Sequence, residues 1–193
     1  MLLRSFTITP NNRKVEAFIA HFDLPVEIQP IDFKHREHLT DEFFAINPMR
    51  KVPVLIDGAF RLWESNAILT YLARKFPETN ALPDDVQGRA DVDRWLHWQS
   101  SHLTPFTGAL KTGAEDDPTA IKPLFDVLEV QLATRVYVLG ELTVADFALS
   151  AYLMTKQGAQ FDYSGHPGLA AWREHMLQLK GFVATQMRPP PAA

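Results

Sequence analysis

The stretch Asn47-Pro48-Met49-Arg50-Lys51-Val52-Pro53-Val54-Leu55-Ile56-Asp57-Gly58-Ala59-Phe60-Arg61-Leu62-Trp63-Glu64-Ser65-Asn66-Ala67-Ile68-Leu69-Thr70-Tyr71-Leu72 decides how this chain is read. Residues 52–56 and 60–62 are short apolar runs on either side of Asp57-Gly58, a dipeptide that favours a type I′ hairpin turn. Over residues 65–76 the period changes, and Ile68, Leu69 and Leu72 fall on one helical face. Two strands and a helix are therefore expected in this order.

Toward the N-terminus, residues 38–44 read as a helical turn or two, stopped by Asn47-Pro48. Residues 26–31 read as a second strand, preceded by Pro25, which bounds a helix running from Arg13. Val15, Phe18, Ile19 and Phe22 give that helix its apolar face. Residues 2–8 read as a strand closed by the turn formers Thr9-Pro10-Asn11-Asn12. The order is β-α-β with parallel character, an irregular helix, then β-β-α.

Toward the C-terminus, residues 77–83 carry two prolines and little apolar content, as a linker does. Strand signals then become rare. Residues 89–110, 118–134, 143–156 and 167–179 each show helical spacing, so this half is expected to be all-α. Arg188-Pro189-Pro190-Pro191 should be an extended tail. The expected boundaries are 1–76 for the α/β domain, 77–85 for the linker and 86–193 for the helical domain.

Composition narrows the functions. Of 193 residues, 46% are hydrophobic and 22% charged, which suits a globular core. A net charge of −4 gives no basic footprint for nucleic acid. The absence of cysteine excludes disulfide scaffolds, thiolate metal sites and a protein-borne thiol nucleophile. No metal site is expected. No apolar run approaches the length of a membrane span, and the N-terminus lacks a signal-peptide layout. A soluble cytoplasmic protein with no membrane partner is the expectation.

The pattern Asn47-Pro48…Val52-Pro53, then Asp57-Gly58, then Leu62-Trp63-Glu64-Ser65-Asn66-Ala67-Ile68…Tyr71-Leu72 resembles the cytosolic glutathione S-transferases, nearest their theta-like and bacterial branch. The resemblance implies an α/β thioredoxin-like N-terminal domain with a mixed four-stranded sheet, followed by an all-α helical-bundle domain. It implies conjugation of glutathione, a co-substrate rather than a bound cofactor, to small hydrophobic electrophiles in detoxification, by a homodimer. Two alternatives stand beside it. One is glutathione-dependent peroxide or disulfide reduction. The other is a non-catalytic glutathione-binding module with the same fold.

The resemblance also assigns residues. It implies a cis bond at Val52-Pro53, with the Val52 backbone pairing the cysteinyl part of glutathione like an added strand. Glu64-Ser65 reads by itself as a helix-capping pair; the resemblance adds capture of the γ-glutamyl carboxylate at the same N–H groups. His38 and Lys51 match positions that hold the glycyl carboxylate, although His35 lies close enough to exchange roles with His38. The thiol must ionise to react, and a donor to its sulfur favours the anion. No tyrosine precedes Tyr71. Thr9 stands where the theta-like serine would, Asn11 resembles the asparagine of relatives with a Thr-Pro-Asn turn, and Asn12 is a third donor. The bland alternative is a turn and N-cap with no efficient activation.

In the helical half, Thr143-Val144-Ala145-Asp146 fits a capping box whose role is folding. Trp95 and Trp98 read as core. His102, Phe106 and Leu110 recur every four residues and match the helix that lines the family's acceptor pocket. Gln99 and Ser101 correspond to positions that reach glutathione across a dimer interface.

Overall fold

A computed structural model describes residues 1–113, 115 and 117–186 of the chain. The expected proline tail lies outside the described residues. The chain packs as two compact units, one formed by residues 1–72 with the segment from Leu179, the other by residues 73–178.

The first unit is built on β1 (Leu2–Ser5), α1 (Pro10–His21), β2 (Glu27–Pro30), α2 (Asp41–Ile46), β3 (Val54–Asp57), β4 (Phe60–Trp63) and α3 (Ser65–Lys75), whose last turn passes the unit boundary. The sheet order is β2-β1-β3-β4. β1 pairs parallel with β2 and antiparallel with β3, and β3 pairs antiparallel with β4, giving the mixed thioredoxin-like sheet. Leu3, Val54 and Leu55 are fully buried on it, and Ile68, Leu69 and Leu72 bring the apolar face of α3 into the core. Ile31, Phe43 and Val54 form a further cluster, edged by Phe6, Ile46 and Val52.

Three local features differ from the sequence expectation, each for a physical reason. β1 stops at Ser5 because the chain turns at once, with the Thr9 N–H bonded to the Phe6 carbonyl at 3.2 Å. α1 begins at Pro10, not Arg13: proline is well suited to the first helical position, and Thr9 becomes the N-cap residue. Asn11 and Asn12 are therefore helical. The β3–β4 loop is Gly58-Ala59, with Asp57 still paired to Phe60. Positive φ at Gly58 alone, 59°, is the pattern of a II′ turn instead of I′.

The segment after Leu179 was expected to belong to the helical domain. Its short helix α9 (Lys180–Ala184) instead packs on α1. A side chain at Gly181 would meet the Ala17 carbonyl oxygen at 1.9 Å, so only glycine permits the approach. This second partner explains why α1 is buried nearly all round, polar positions included.

The second unit holds α4 (Val86–Trp98), α5 (Thr104–Thr112), α6 (Lys122–Leu132), α7 (Val144–Leu153) and α8 (Pro167–Gln178). α4 starts earlier than expected because Asp85 caps it, accepting from the Gly88 N–H at 2.8 Å. Between α4 and α5 a π-helical segment at Gln99–Leu103 widens the expected single helix. Pro105 lies just beyond it and has no N–H to give to an α-helical ladder. All ten residues of α7 are buried. Among the described residues, no helix is long and apolar enough to cross a membrane.

Candidate functional site

Two helix N-termini and one loop meet in the first unit. α1 follows β1, α3 follows β4, and the loop before β3 contains the Val52-Pro53 peptide, which is cis. Side chains from the two helix starts tie them together. The Ser65 hydroxyl donates to Asn11 Oδ1 at 3.1 Å, and Lys14 Nζ donates to Asn66 Oδ1 at 2.6 Å.

Asn12 ties the head of α1 to the loop. Its Nδ2 donates to Thr9 Oγ1 and, at 3.4 Å, to the Val52 carbonyl, while its Oδ1 accepts from Ser5 Oγ at 3.0 Å. With 1% exposure and both ends of its amide committed inward, Asn12 is an interior strut. Thr9 is half-buried, and its side chain caps no helix N–H. Since Thr9 Oγ1 accepts from Asn12, its own O–H proton is left to point elsewhere. The Val52 N–H makes no backbone hydrogen bond among the described residues.

Glu64 precedes α3 with φ of 72°, a left-handed conformation that side-chain-bearing residues rarely adopt and that tends to collect at functional sites. Its carbonyl accepts the first helical bond, from Ile68 at 3.0 Å. The N–H groups of the first turn of α3 are therefore beyond the reach of the intrahelical ladder. Ser65 is buried beside them.

The Arg50 side chain holds the other arm of the site. Its guanidinium bonds the Leu39 and Thr40 carbonyls and lies 4.9 Å from the Phe44 ring. Buried Asn47 closes the turn, donating to the Lys51 carbonyl at 2.7 Å. Lys51 itself is exposed. His38 sits in a 3-10 turn at Glu37–Leu39, which Arg4 anchors through Glu37. The ring of His38 packs on Phe33, and its Nδ1 is buried with no partner among the described residues. His35 is exposed and engaged with Asp32 at 2.6 Å, so of these two His38 is the one with a buried, unsatisfied ring nitrogen among the described residues.

Hydrogen bonds thus join Asn12 to Thr9 and to Val52, which precedes Pro53, and join Asn11 to Ser65, while Arg50 and Asn47 link the segments carrying His38 and Lys51. In the second unit, His102 is exposed and rests 5.9 Å from Trp98, while Phe106 and Leu110 on α5 are half-buried. Gln99 is turned inward, bonded to the Thr104 hydroxyl, and Ser101 is exposed. Trp95 is buried, as expected, and Trp98 is half-buried. No group of three or more His, Asp or Glu among the described residues is arranged to hold a metal ion.

Residues 1–74 match the family model described as "Glutathione S-transferase, N-terminal domain". The human glutathione S-transferase theta-1 is 33% identical over 186 residues, covering 85% of this chain and 77% of its own. The chain belongs to the glutathione S-transferase family. A possible glutathione S-transferase from Rhodopseudomonas palustris superimposes with a TM-score of 0.80 at 32% identity, over 97% of this chain and 98% of its own. A glutathione transferase from Burkholderia graminis, solved with two glutathione molecules bound per subunit, has a TM-score of 0.85 at 27% identity, over 99% and 89% of the two chains.

Two buried charged residues on α1 escape a reading of sequence: Lys14 and Glu16. On a helix whose apolar face is Val15, Phe18, Ile19 and Phe22, both look solvent-facing. α9 and the start of α3 cover the other faces, and that covering has no local signal. Lys14 is 1% exposed. Burial pulls its ammonium down from 10.5 to about 7, opposed by the charge of Glu64.

This has a sign for stability. Between about pH 7 and the ordinary lysine range the unfolded chain holds a proton that the folded chain has released. Lys14 therefore penalises folding below that window, and the penalty lifts as pH rises through it. Lys14→Met is expected to abolish this rise. Urea unfolding of both proteins from pH 6 to pH 10 should show the wild type gaining, relative to the variant, on the order of a few kcal/mol. Parallel profiles would contradict the assignment.

Proposed function

We propose that this chain is a glutathione S-transferase that conjugates the glutathione thiolate to small hydrophobic electrophiles. The observation that carries the reading is the convergence of Thr9, the Val52 backbone and Ser65 on one side of the α/β unit, fixed by Asn11 and Asn12. In this reading the α3 N-terminus with Glu64-Ser65 holds the γ-glutamyl carboxylate. The Val52 N–H, without a backbone hydrogen bond among the described residues, and the Val52 carbonyl pair the cysteinyl residue like a strand. His38 and Lys51 serve the glycyl carboxylate, and the orphaned Nδ1 of His38 supports its choice over His35. The outward Thr9 proton is donated to the sulfur, while Asn11 holds Ser65 and Asn12 holds Thr9.

His102, Phe106 and Leu110 line the acceptor side of the helical unit in the same reading. The assembly is a two-fold homodimer with a cytoplasmic location, and exposed Ser101 is the cross-subunit candidate, Gln99 being committed internally. An apolar cleft of about 300 Å³ beside Trp95, Trp98, Val127 and Val130, together with Phe60 and Trp63 exposed on β4, supports the presence of a second copy.

Ser65→Ala tests the binding half. The fold survives, since the hydrogen bond lost, from the Ser65 hydroxyl to Asn11, is worth only about 1 kcal/mol. Calorimetry should show glutathione affinity reduced roughly tenfold, the value of one hydrogen bond to a charged group, formed when the hydroxyl turns from Asn11 to the carboxylate. Unchanged affinity would remove Ser65 from the site.

A second reading, glutathione-dependent disulfide reduction, is favoured by one observation: the Burkholderia graminis relative binds two glutathione molecules per subunit. Product analysis separates the two. Conjugation yields a thioether, whereas reduction yields oxidised glutathione.

A further inference from the structure

Four side chains at the head of α1 run in a line: Glu16, Ser5, Asn12 and Thr9. Glu16, Ser5 and Asn12 are 3%, 1% and 1% exposed. Ser5 Oγ lies in hydrogen-bond contact with Glu16 Oε1 and 3.0 Å from Asn12 Oδ1. Two oxygens thus face one hydroxyl, which owns a single proton.

The orientation of Asn12 is fixed by its neighbours. A carbonyl oxygen needs a donor and the amide's only donor is its NH2, so the end that faces the Val52 carbonyl is Nδ2. Oδ1 is therefore the atom turned to Ser5, and it needs the Ser5 proton. If Glu16 is ionised, it competes for that proton, and one buried acceptor goes unsatisfied. If Glu16 is the neutral acid, every position closes. Glu16 donates to Ser5, Ser5 donates to Asn12, Asn12 donates to Thr9 and Val52, and Thr9 donates outward. The donors all run one way, and each strengthens the next.

We propose that Glu16 is a positioning residue for thiol activation: held as the neutral acid, it leaves the Ser5 proton to Asn12 Oδ1 and so secures the amide orientation that frees the Thr9 proton for the glutathione sulfur. This rests on the reading of Thr9 as the sulfur donor. Burial pushes the Glu16 carboxyl above its usual range, against the opposing hydrogen bonds from Ser5 and Thr7. Among the described residues no ion pair compensates it. From α1 itself, Arg13 is turned to the Phe182 carbonyl of α9 at 3.3 Å and to the Phe182 ring, and Lys14 is turned to Asn66 beside Glu64. β1 offers it Ser5 and the following loop offers Thr7. As pH rises through the raised Glu16 value, the carboxylate claims the Ser5 proton and Asn12 Oδ1 loses its donor; only the 3.4 Å contact to the Val52 carbonyl then opposes a turn of the amide that would draw the Thr9 proton inward.

The test is a double-mutant cycle on glutathione affinity, measured by calorimetry across neutral and alkaline pH. The carboxamide of Glu16→Gln donates at every pH. Wild-type affinity for glutathione should fall roughly three- to tenfold on the alkaline side, and affinity for S-methylglutathione should not. Glu16→Gln should abolish the fall in the Thr9 background and have no effect in a Thr9→Val background. If Glu16→Gln keeps the wild-type alkaline fall while Thr9→Val raises the bound thiol's pKa, the inference is overturned and the Thr9 reading stands. If Thr9→Val leaves the thiol's pKa unchanged, the Thr9 reading fails and this inference falls with it. Should Glu16→Gln not fold, carbon-13 NMR of labelled wild-type glutamates decides: Glu16 titrating well above the ordinary carboxylate range supports the inference, and titration within that range overturns it.

Discussion

Asp146→Ala is expected to cost more stability than any other single substitution considered for this chain. The Asp146 carboxylate, fully buried on α7, accepts from the Val138 and Thr143 N–H groups at 2.9 and 3.0 Å and from the Trp172 indole at 3.0 Å. The Thr143 hydroxyl is a fourth donor, at 3.2 Å. One carboxylate thus joins the loop before α7, the N-cap of α7 and the core tryptophan of α8. Alanine leaves three N–H donors buried without an acceptor, at about 1–3 kcal/mol each. Against a total stability of roughly 5–15 kcal/mol, a loss of at least ~3 kcal/mol moves the unfolding midpoint far. Urea denaturation should show a large drop for Asp146→Ala and a smaller one for Asp146→Asn, which retains one acceptor oxygen. A midpoint unchanged by alanine would mean that water or a relaxed loop satisfies the donors.

The largest effect on activity is expected from Thr9→Val, which removes the hydroxyl while nearly conserving volume. The hydrogen bond it removes is charge-assisted, worth ~1.5–3 kcal/mol. That corresponds to roughly a ten- to hundredfold loss in kcat/KM. Thr9→Ser keeps the hydroxyl and should retain activity. Affinity for S-methylglutathione, which presents no thiolate, should be unaltered in both. Asn11→Ala gives the contrast: Asn11 Oδ1 accepts from Ser65, so its loss should weaken glutathione binding more than it slows the bound complex. A crippled Asn11→Ala beside a neutral Thr9→Val would make the turn amide the donor.

The elements most legible in the sequence are those whose signals are local. Pro53, the Asp57–Phe60 hairpin and the apolar spacing of Ile68, Leu69 and Leu72 placed β3, β4 and α3 within a residue or two. The Glu64-Ser65 pair lies at a helix start because capping chemistry is written in neighbouring residues. Thr9 stands out in the sequence by position, but its proposed role as an outward donor depends on Asn12 reaching Val52, forty residues away, which no local pattern encodes. The burial of Lys14 and Glu16 follows from α9 returning to α1, where Gly181 alone allows contact with Ala17. That packing is tertiary, and amphipathic spacing on α1 pointed the other way. The π-helical segment at Gln99–Leu103 was foreshadowed only by Pro105, a cue that periodicity does not weigh.

The central claim is that this chain binds glutathione and ionises its thiol with the Thr9 hydroxyl. The most direct measurement is ultraviolet titration of the bound thiolate in the binary complex, for the wild type and for Thr9→Val. The wild-type complex is expected to form thiolate well below the ordinary thiol pKa of about 8.5, and Thr9→Val is expected to return the titration toward that value while glutathione still binds. Coincident titrations of the two proteins, or no thiolate in the wild-type complex below the ordinary thiol range, would contradict it.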